Sequence, residues 1–276
     1  MFRDITIGQY YPGDSILHRL DPRVKLLGAL VYITFLFVIN NIFGLIFLAV
    51  ILGVLIAISR IPLSYIVRGM KMIVVLALVA VFFNLFFTDG EHILWKWWIL
   101  RLSREGILRA VFFAFRLVLV IVGSSLLTYT TTPTTLTNGM EKVLSPLRKI
   151  HFPAHELAMM MSIALRFIPI LSEEVGRIIK AQLARGADFE SGGILKKAKG
   201  MIPILIPLFV SAFRRASDLA TAMEARCYHG GDGRTKMYPL KYESRDKAAY
   251  MIILIYTVFC IAVRILMDRF ITWGRI

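Results

Sequence analysis

Residues 42–58 read IFGLIFLAVILGVLIAI, seventeen consecutive positions without a charged side chain. A helix needs about 20 apolar residues to cross the hydrocarbon core of a bilayer, and shorter runs of about 17 still suffice. Working outward from this run, four others have the same character, at 24–40, 70–88, 107–129 and 248–267. The sequence therefore predicts an all-α membrane protein with about five transmembrane helices. Composition agrees: of 276 residues, 57% are hydrophobic and 18% charged, which excludes an ordinary soluble domain. The first apolar run follows a polar lead holding Arg3, Asp4, Asp14, Arg19 and Asp21, unlike a cleavable signal peptide.

Against this apolar background stands a formal charge of +15, from 33 Lys and Arg against 18 acids. Such an excess fits nucleic acid, anionic lipid, acidic partners, or cytoplasmic loops under the positive-inside rule. Its distribution decides between them. Residues 130–247, between the fourth and fifth runs, hold 18 of the basic residues and 11 of the acids. Three segments follow: transmembrane helices 1 to 4 in 1–129, a cytoplasmic module in 130–247, and a last helix with an external C-terminus in 248–276. Arg19, Arg23 and Lys25 before the first helix, with Arg60, Arg68 and Lys71 between the second and third, place the N-terminus in the cytoplasm. Trp95, Trp97, Trp98 and Trp273 then fall at the outer ends, where amphipathic rings favour the headgroup level.

Within the spans, Asp21 and Pro22 suit the N-cap and first helical position of the first helix. Arg109 and Arg116, seven apart on one face of the fourth, are costly in hydrocarbon. Arg109 is expected to snorkel and Arg116 to pair inside the bundle, a substrate role being the alternative. No Asp or Glu lies in the spans before Asp268, so the pattern of a proton-coupled carrier is missing.

The module opens on Thr132-Pro133, an N-cap and N1 pair, and Pro146 ends or bends the short helix that follows. Two long amphipathic stretches come next, about Ala154 to Arg185 and Met201 to Arg226. The first carries the stripe Met160, Phe167, Leu171, Ile178 and, at the favourable i, i+4 spacing, Glu173 and Arg177. The second carries Leu205, Phe209, Phe213 and Ala220 against Arg214, Arg215, Asp218 and Glu224. With so few other elements in the module, these stripes are expected to pack against spans or a partner. The stretches also repeat each other. Phe167-Ile168-Pro169-Ile170-Leu171 leads to Ala184-Arg185-Gly186, and Leu205-Ile206-Pro207-Leu208-Phe209 leads to Ala225-Arg226-Cys227. A cation in the last turn is favoured by the helix dipole. The small flanks would further let each helix end enter a groove, where a guanidinium can pair bidentately with a carboxylate.

These features together resemble the transmembrane T component of energy-coupling factor (ECF) transporters, the vitamin and trace-nutrient branch of the ATP-binding cassette importers. The resemblance covers essentially the whole chain. It rests on Gly8-Gln9-Tyr10 through His18-Arg19-Leu20-Asp21-Pro22-Arg23-Val24-Lys25, on Thr132-Pro133 with Asn138-Gly139-Met140-Glu141 and Ser145-Pro146-Leu147, and on the paired Ala-Arg-small motifs. It implies that Ala184, Arg185, Gly186 and Ala225, Arg226, Cys227 dock into two ATPase subunits. It likewise implies that the surface around Phe167, Leu171, Phe209 and Phe213 grips a substrate-binding S component. The chain would then be a non-catalytic coupling subunit for vitamin or micronutrient uptake in a bacterial or archaeal cell membrane. It would carry no cofactor of its own, ATP and Mg²⁺ being bound by the partner ATPases.

Other classes fit less well. A membrane-embedded enzyme would need paired acids, a metal set or an activated nucleophile. His151 and His155 are separated by Pro153 and lack the H-E-x-x-H pattern, so no metal site is expected. Gly230-Gly231-Asp232-Gly233-Arg234-Thr235-Lys236 puts Lys after Thr and is not a phosphate-binding loop. A self-sufficient permease would show acids or interrupted, repeat-related spans. A nucleic-acid partner is not expected either, because the basic residues are interspersed with acids and lack interleaved aromatics.

Overall fold

The computed structural model describes residues 10–87, 93–97, 100–150, 152–187, 193–230 and 239–270. They form two compact units, one of residues 8–139 with 240–276 and one centred on 140–239. The first contains α1 (Pro22–Val38), α2 (Ile42–Ser59), α3 (Leu63–Phe87), α4 (Arg104–Thr130) and α8 (Ser244–Phe270). These are the five expected spans, with α3 starting seven residues early. The chain restarts as helix directly after Arg60, which ends α2 in the left-handed conformation (φ 57°), and Pro62. In the connection before α4, β1 (Ile93–Trp97) and β2 (Leu100–Ser103) pair antiparallel, with Trp97 opposite Leu100. The sequence had marked only a connection there. Trp98 and Trp273 lie outside the described residues.

Among the described residues, five helices are long and apolar enough to cross a membrane: Ile42–Ser59, Gly106–Thr130, Ala154–Ala184, Lys199–Ala225 and Ser244–Ile265. The chain is a multi-pass membrane protein. The set differs from the five apolar runs in two respects: it omits α1, which is 17 residues long, and α3, of which Ala77–Phe86 forms a shorter apolar helix, and it includes the two amphipathic helices of the module. The reason is their lengthwise division. Ala154–Leu171 holds Glu156 and Arg166 as its charged residues, whereas Glu173, Glu174, Arg177 and Lys180 crowd the rest of that helix. The second helix likewise keeps Arg214, Arg215, Asp218 and Glu224 for its C-terminal half.

The core of the first unit joins Tyr32, Phe35 and Leu36 of α1 to Leu45, Leu48 and Leu52 of α2, Leu119, Val122 and Tyr129 of α4 and Cys260 of α8. Around the start of α1, polar groups tie three helix ends together. Asp21 caps α1, its carboxylate accepting from the Arg23 N–H at 2.9 Å, and Pro22 takes the first position. The Asp21 N–H donates to Asp246 Oδ1 (2.8 Å), and Asp246 Oδ2 accepts from the Glu243 N–H (2.8 Å) at the start of α8. Lys25 donates to the carbonyls of His18 (3.1 Å) and Thr130 (2.8 Å), the latter at the end of α4. Arg23 donates to the Leu240 carbonyl and lies over the Tyr242 ring at 4.4 Å. Gly139 belongs to the same knot: a Cβ there would sit 3.0 Å from Pro22.

Arg116 does pair inside the bundle. It donates to the Ile39 carbonyl (2.8 Å) and to Asn40 Oδ1 (2.9 Å), so a fixed cation closes the C-terminal end of α1, where orphan carbonyls concentrate negative potential. Arg109 is exposed.

Candidate functional site

The second unit is built on α6 (Ala154–Ala184) and α7 (Ile194–Ala225), reached through α5 (Pro133–Leu144) and a 3₁₀ turn (Ser145–Ile150). Thr132 caps α5 as expected, its hydroxyl accepting from the Thr135 N–H. α7 begins seven residues before the expected Met201, because the apolar stripe starts only after the lysine-rich first turns. Pro169 lies inside α6, and Pro203 and Pro207 lie inside α7.

Three contacts fix the direction of the pair. Gln182 Nε2 donates to the Pro203 carbonyl at 3.4 Å, and Arg215 pairs with Glu174 at 3.1 Å. Further along, Ile163, Phe167 and Leu171 share a cleft of about 280 Å³ with Ala216, Leu219, Ala220 and Met223. Residue numbers fall along one helix as they rise along the other, so α6 and α7 run antiparallel. Arg185 and Arg226 therefore lie at opposite ends. Arg185 falls level with about residue 202 of α7, which separates the two arginines by roughly 35 Å at about 1.5 Å per residue.

Both helices terminate in the same way. Arg185 is the C-cap of α6. Gly186 follows with φ +85°, its N–H bonded to the Leu183 carbonyl (3.0 Å), and the Ala187 N–H reaches the Gln182 carbonyl (3.0 Å). At the end of α7, Arg226 is the C-cap and Cys227 has φ +54°. The Cys227 N–H bonds to the Glu224 carbonyl (2.8 Å) and the Tyr228 N–H to the Met223 carbonyl (3.0 Å). Each is a complete Schellman motif with a left-handed residue just after the arginine. The small third residue thus has a conformational reason besides access to a groove: glycine adopts φ > 0 freely, and cysteine does so under strain. All six residues from Ala184 to Gly186 and from Ala225 to Cys227 are exposed.

The four residues of the apolar stripes are divided. Phe167 and Leu171 are half-buried in the α6–α7 cleft. Phe209 and Phe213 stack on one another at 6.4 Å and stand 60% and 71% exposed. They continue an exposed apolar face with Met201, Ile202, Ile206 and Val210. The acid that pairs is Glu174, which receives both Arg177 (3.3 Å) and Arg215, while Glu173 is exposed. His155 contacts Glu141 at 3.0 Å; His151 and residues 231–236 of the Gly-rich segment lie outside the described residues. Among the described residues no group of His, Cys, Asp and Glu is arranged to hold a metal.

Sequence reasoning had no place for Gln182, whose main-chain carbonyl holds the Arg185 cap while its side chain reaches α7. The glycine after Arg185 was a C-cap signal that would have pointed there.

Such a fold, with spanning helices and an antiparallel pair whose two ends are capped alike, defines a helical membrane component. A sequence-family profile described as Cobalt transport protein (CbiQ) matches residues 13–237. A protein of Clostridium kluyveri named energy-coupling factor transporter transmembrane protein EcfT is 53% identical over 276 residues, covering 100% of both chains. Proteins of that name from Acidaminococcus fermentans (48% over 276 residues, 99% of each chain) and Lactococcus lactis subsp. cremoris (48% over 261 residues, 94% of this chain and 97% of the relative) are also similar. The chain belongs to this family of transmembrane components of energy-coupling factor transporters.

Proposed function

We propose that the chain couples ATP hydrolysis by two separate ATPase subunits to a substrate-binding S component, for uptake of a vitamin or micronutrient. The observation that carries this reading is the placement of two identically capped arginines at opposite ends of one antiparallel helix pair. Each Schellman loop turns the chain away just past the arginine, leaving the guanidinium at the tip of a stiff rod where a carboxylate can receive it bidentately. Ala184 to Gly186 enter one ATPase groove and Ala225 to Cys227 the other. Closure of the ATPases around ATP and Mg²⁺ draws the two ends together, and the helices carry that motion to the S component. This chain itself performs no catalysis.

The stacked Phe209 and Phe213 and their exposed neighbours present the apolar surface for that component, and Phe167 and Leu171 in the α6–α7 cleft extend it. Residues 130–247 lie on the cytoplasmic side with the N-terminus, and the C-terminus lies outside, following the basic residues before α1 and between α2 and α3.

The test is association. With Arg185→Glu and Arg226→Glu combined, the protein should remain membrane-inserted and lose co-purification with its ATPases, since each new carboxylate repels the acid that held the arginine. Undiminished association would refute the assignment. The purified chain alone should also show no saturable ATP binding, and a stoichiometric site would overturn the non-catalytic reading.

A further inference from the structure

Proline at position 207 has no N–H, so the carbonyl four residues back, that of Pro203, loses its helical donor. That carbonyl is the one Gln182 reaches from α6, at 3.4 Å. The main-chain carbonyl of Gln182 meanwhile accepts from the Arg185 N–H (3.1 Å) and the Ala187 N–H (3.0 Å), the bonds that close the α6 cap. One residue thus touches the arginine end of α6 through its backbone and the weakened point of α7 through its side chain. Two turns earlier, Glu174 makes a second polar tie between the helices through Arg215. Proline interruptions are where helices bend, and a bend not braced from outside absorbs displacement instead of passing it on.

We propose that Gln182 is a positioning residue that transmits displacement of the Arg185 end into α7 by bracing the carbonyl Pro207 leaves open. The proposal rests on the docking reading above for the source of the displacement. Its chemistry is narrow: the side chain must donate to a carbonyl. Leucine or glutamate at 182 breaks the brace and lysine keeps it. Restoring an N–H in the Pro207→Ala variant makes Gln182 dispensable, because α7 then closes its own bond.

The experiment is hydrogen exchange on the full chain with its ATPases in phospholipid nanodiscs, with and without a non-hydrolysable ATP analogue. In the parent, the analogue should slow exchange both at residues 185–187 and at 204–213. In Gln182→Leu the first response should persist and the second vanish, with basal exchange of 204–213 raised roughly two- to tenfold, the factor one net hydrogen bond commands. Gln182→Lys, and Gln182→Leu combined with Pro207→Ala, should restore the parent response. The proposal is overturned if Gln182→Leu keeps both responses, if the combined variant behaves like Gln182→Leu alone, or if the parent shows no response at 204–213. Failure of the docking reading is separately visible: the ATPases would not co-purify, or residues 185–187 would not respond to the analogue, whereas the basal exchange of the three variants against the parent judges the brace itself.

Discussion

Two glycines in one helix provide a matched test of what ends α6. Gly176 lies in the helix interior and Gly186 just beyond the cap with φ +85°, and at neither would an added Cβ meet any atom within 4 Å. Sterics being equal, the backbone angle alone sets the sign. Alanine at 176 trades glycine's excess entropy loss for a better helix former, a gain of about 0.5–1 kcal/mol. Alanine at 186 must hold the left-handed region, costing about 1–2 kcal/mol. That lowers the population of the closed cap five- to thirtyfold. Amide exchange at 186 and 187, whose N–H groups make the two Schellman bonds, should therefore accelerate by that factor in Gly186→Ala and stay unchanged or slow in Gly176→Ala. ATPase affinity should fall with it, by no more than the same factor, since Arg185 is presented by the closed cap. Like signs for the two substitutions, or a fast cap with undiminished affinity, would refute the link between cap geometry and docking.

Other expectations follow from single contacts. Arg116→Met removes two charged hydrogen bonds at the end of α1 and should cost about 2–3 kcal/mol in the unfolding of the detergent-solubilised protein. Asp246→Asn leaves one oxygen to serve the Asp21 and Glu243 N–H groups and should cost about 1–3 kcal/mol, read in the same assay. His18 sits between the Ser15 hydroxyl (2.7 Å) and the Tyr11 carbonyl (3.1 Å); the carbonyl only accepts, so Nε2 carries the proton and Nδ1 accepts from Ser15. Burial holds its imidazole below the ordinary value of about 6.5. The unfolded chain is then protonated first as pH falls, so stability from this turn is complete above about pH 6.5 and declines as pH drops toward the lowered folded value. Protection of the Tyr11 amide, taken relative to its intrinsic exchange rate at each pH, should fall as pH drops across that window in the parent and stay constant in His18→Gln.

What the sequence disclosed divides by the range of the interaction. The Asp21-Pro22 start of α1 was legible because capping is decided within three residues, and Asp246, its partner 225 positions away, was not. Arg116 announced that it needed a partner without naming the Ile39 carbonyl. Glu174 could have been chosen over Glu173: it stands seven residues past Phe167 and three past Leu171, on the stripe that faces α7. The paired arginine ends were visible as a repeat. Their shared left-handed residue was half hidden, because Cys227 stands where glycine would have revealed it.

The tie between Asp246 and Asp21 also bears on biosynthesis. At about 5–20 residues per second, translation delivers α8 some 10–45 s after α1. For that interval the amide of Asp21 lacks its carboxylate, while Lys25 already links the start of α1 to the end of α4. A chain halted before its last helix would carry an unsealed polar gap at its first, a local sign of incompleteness open to membrane proteases.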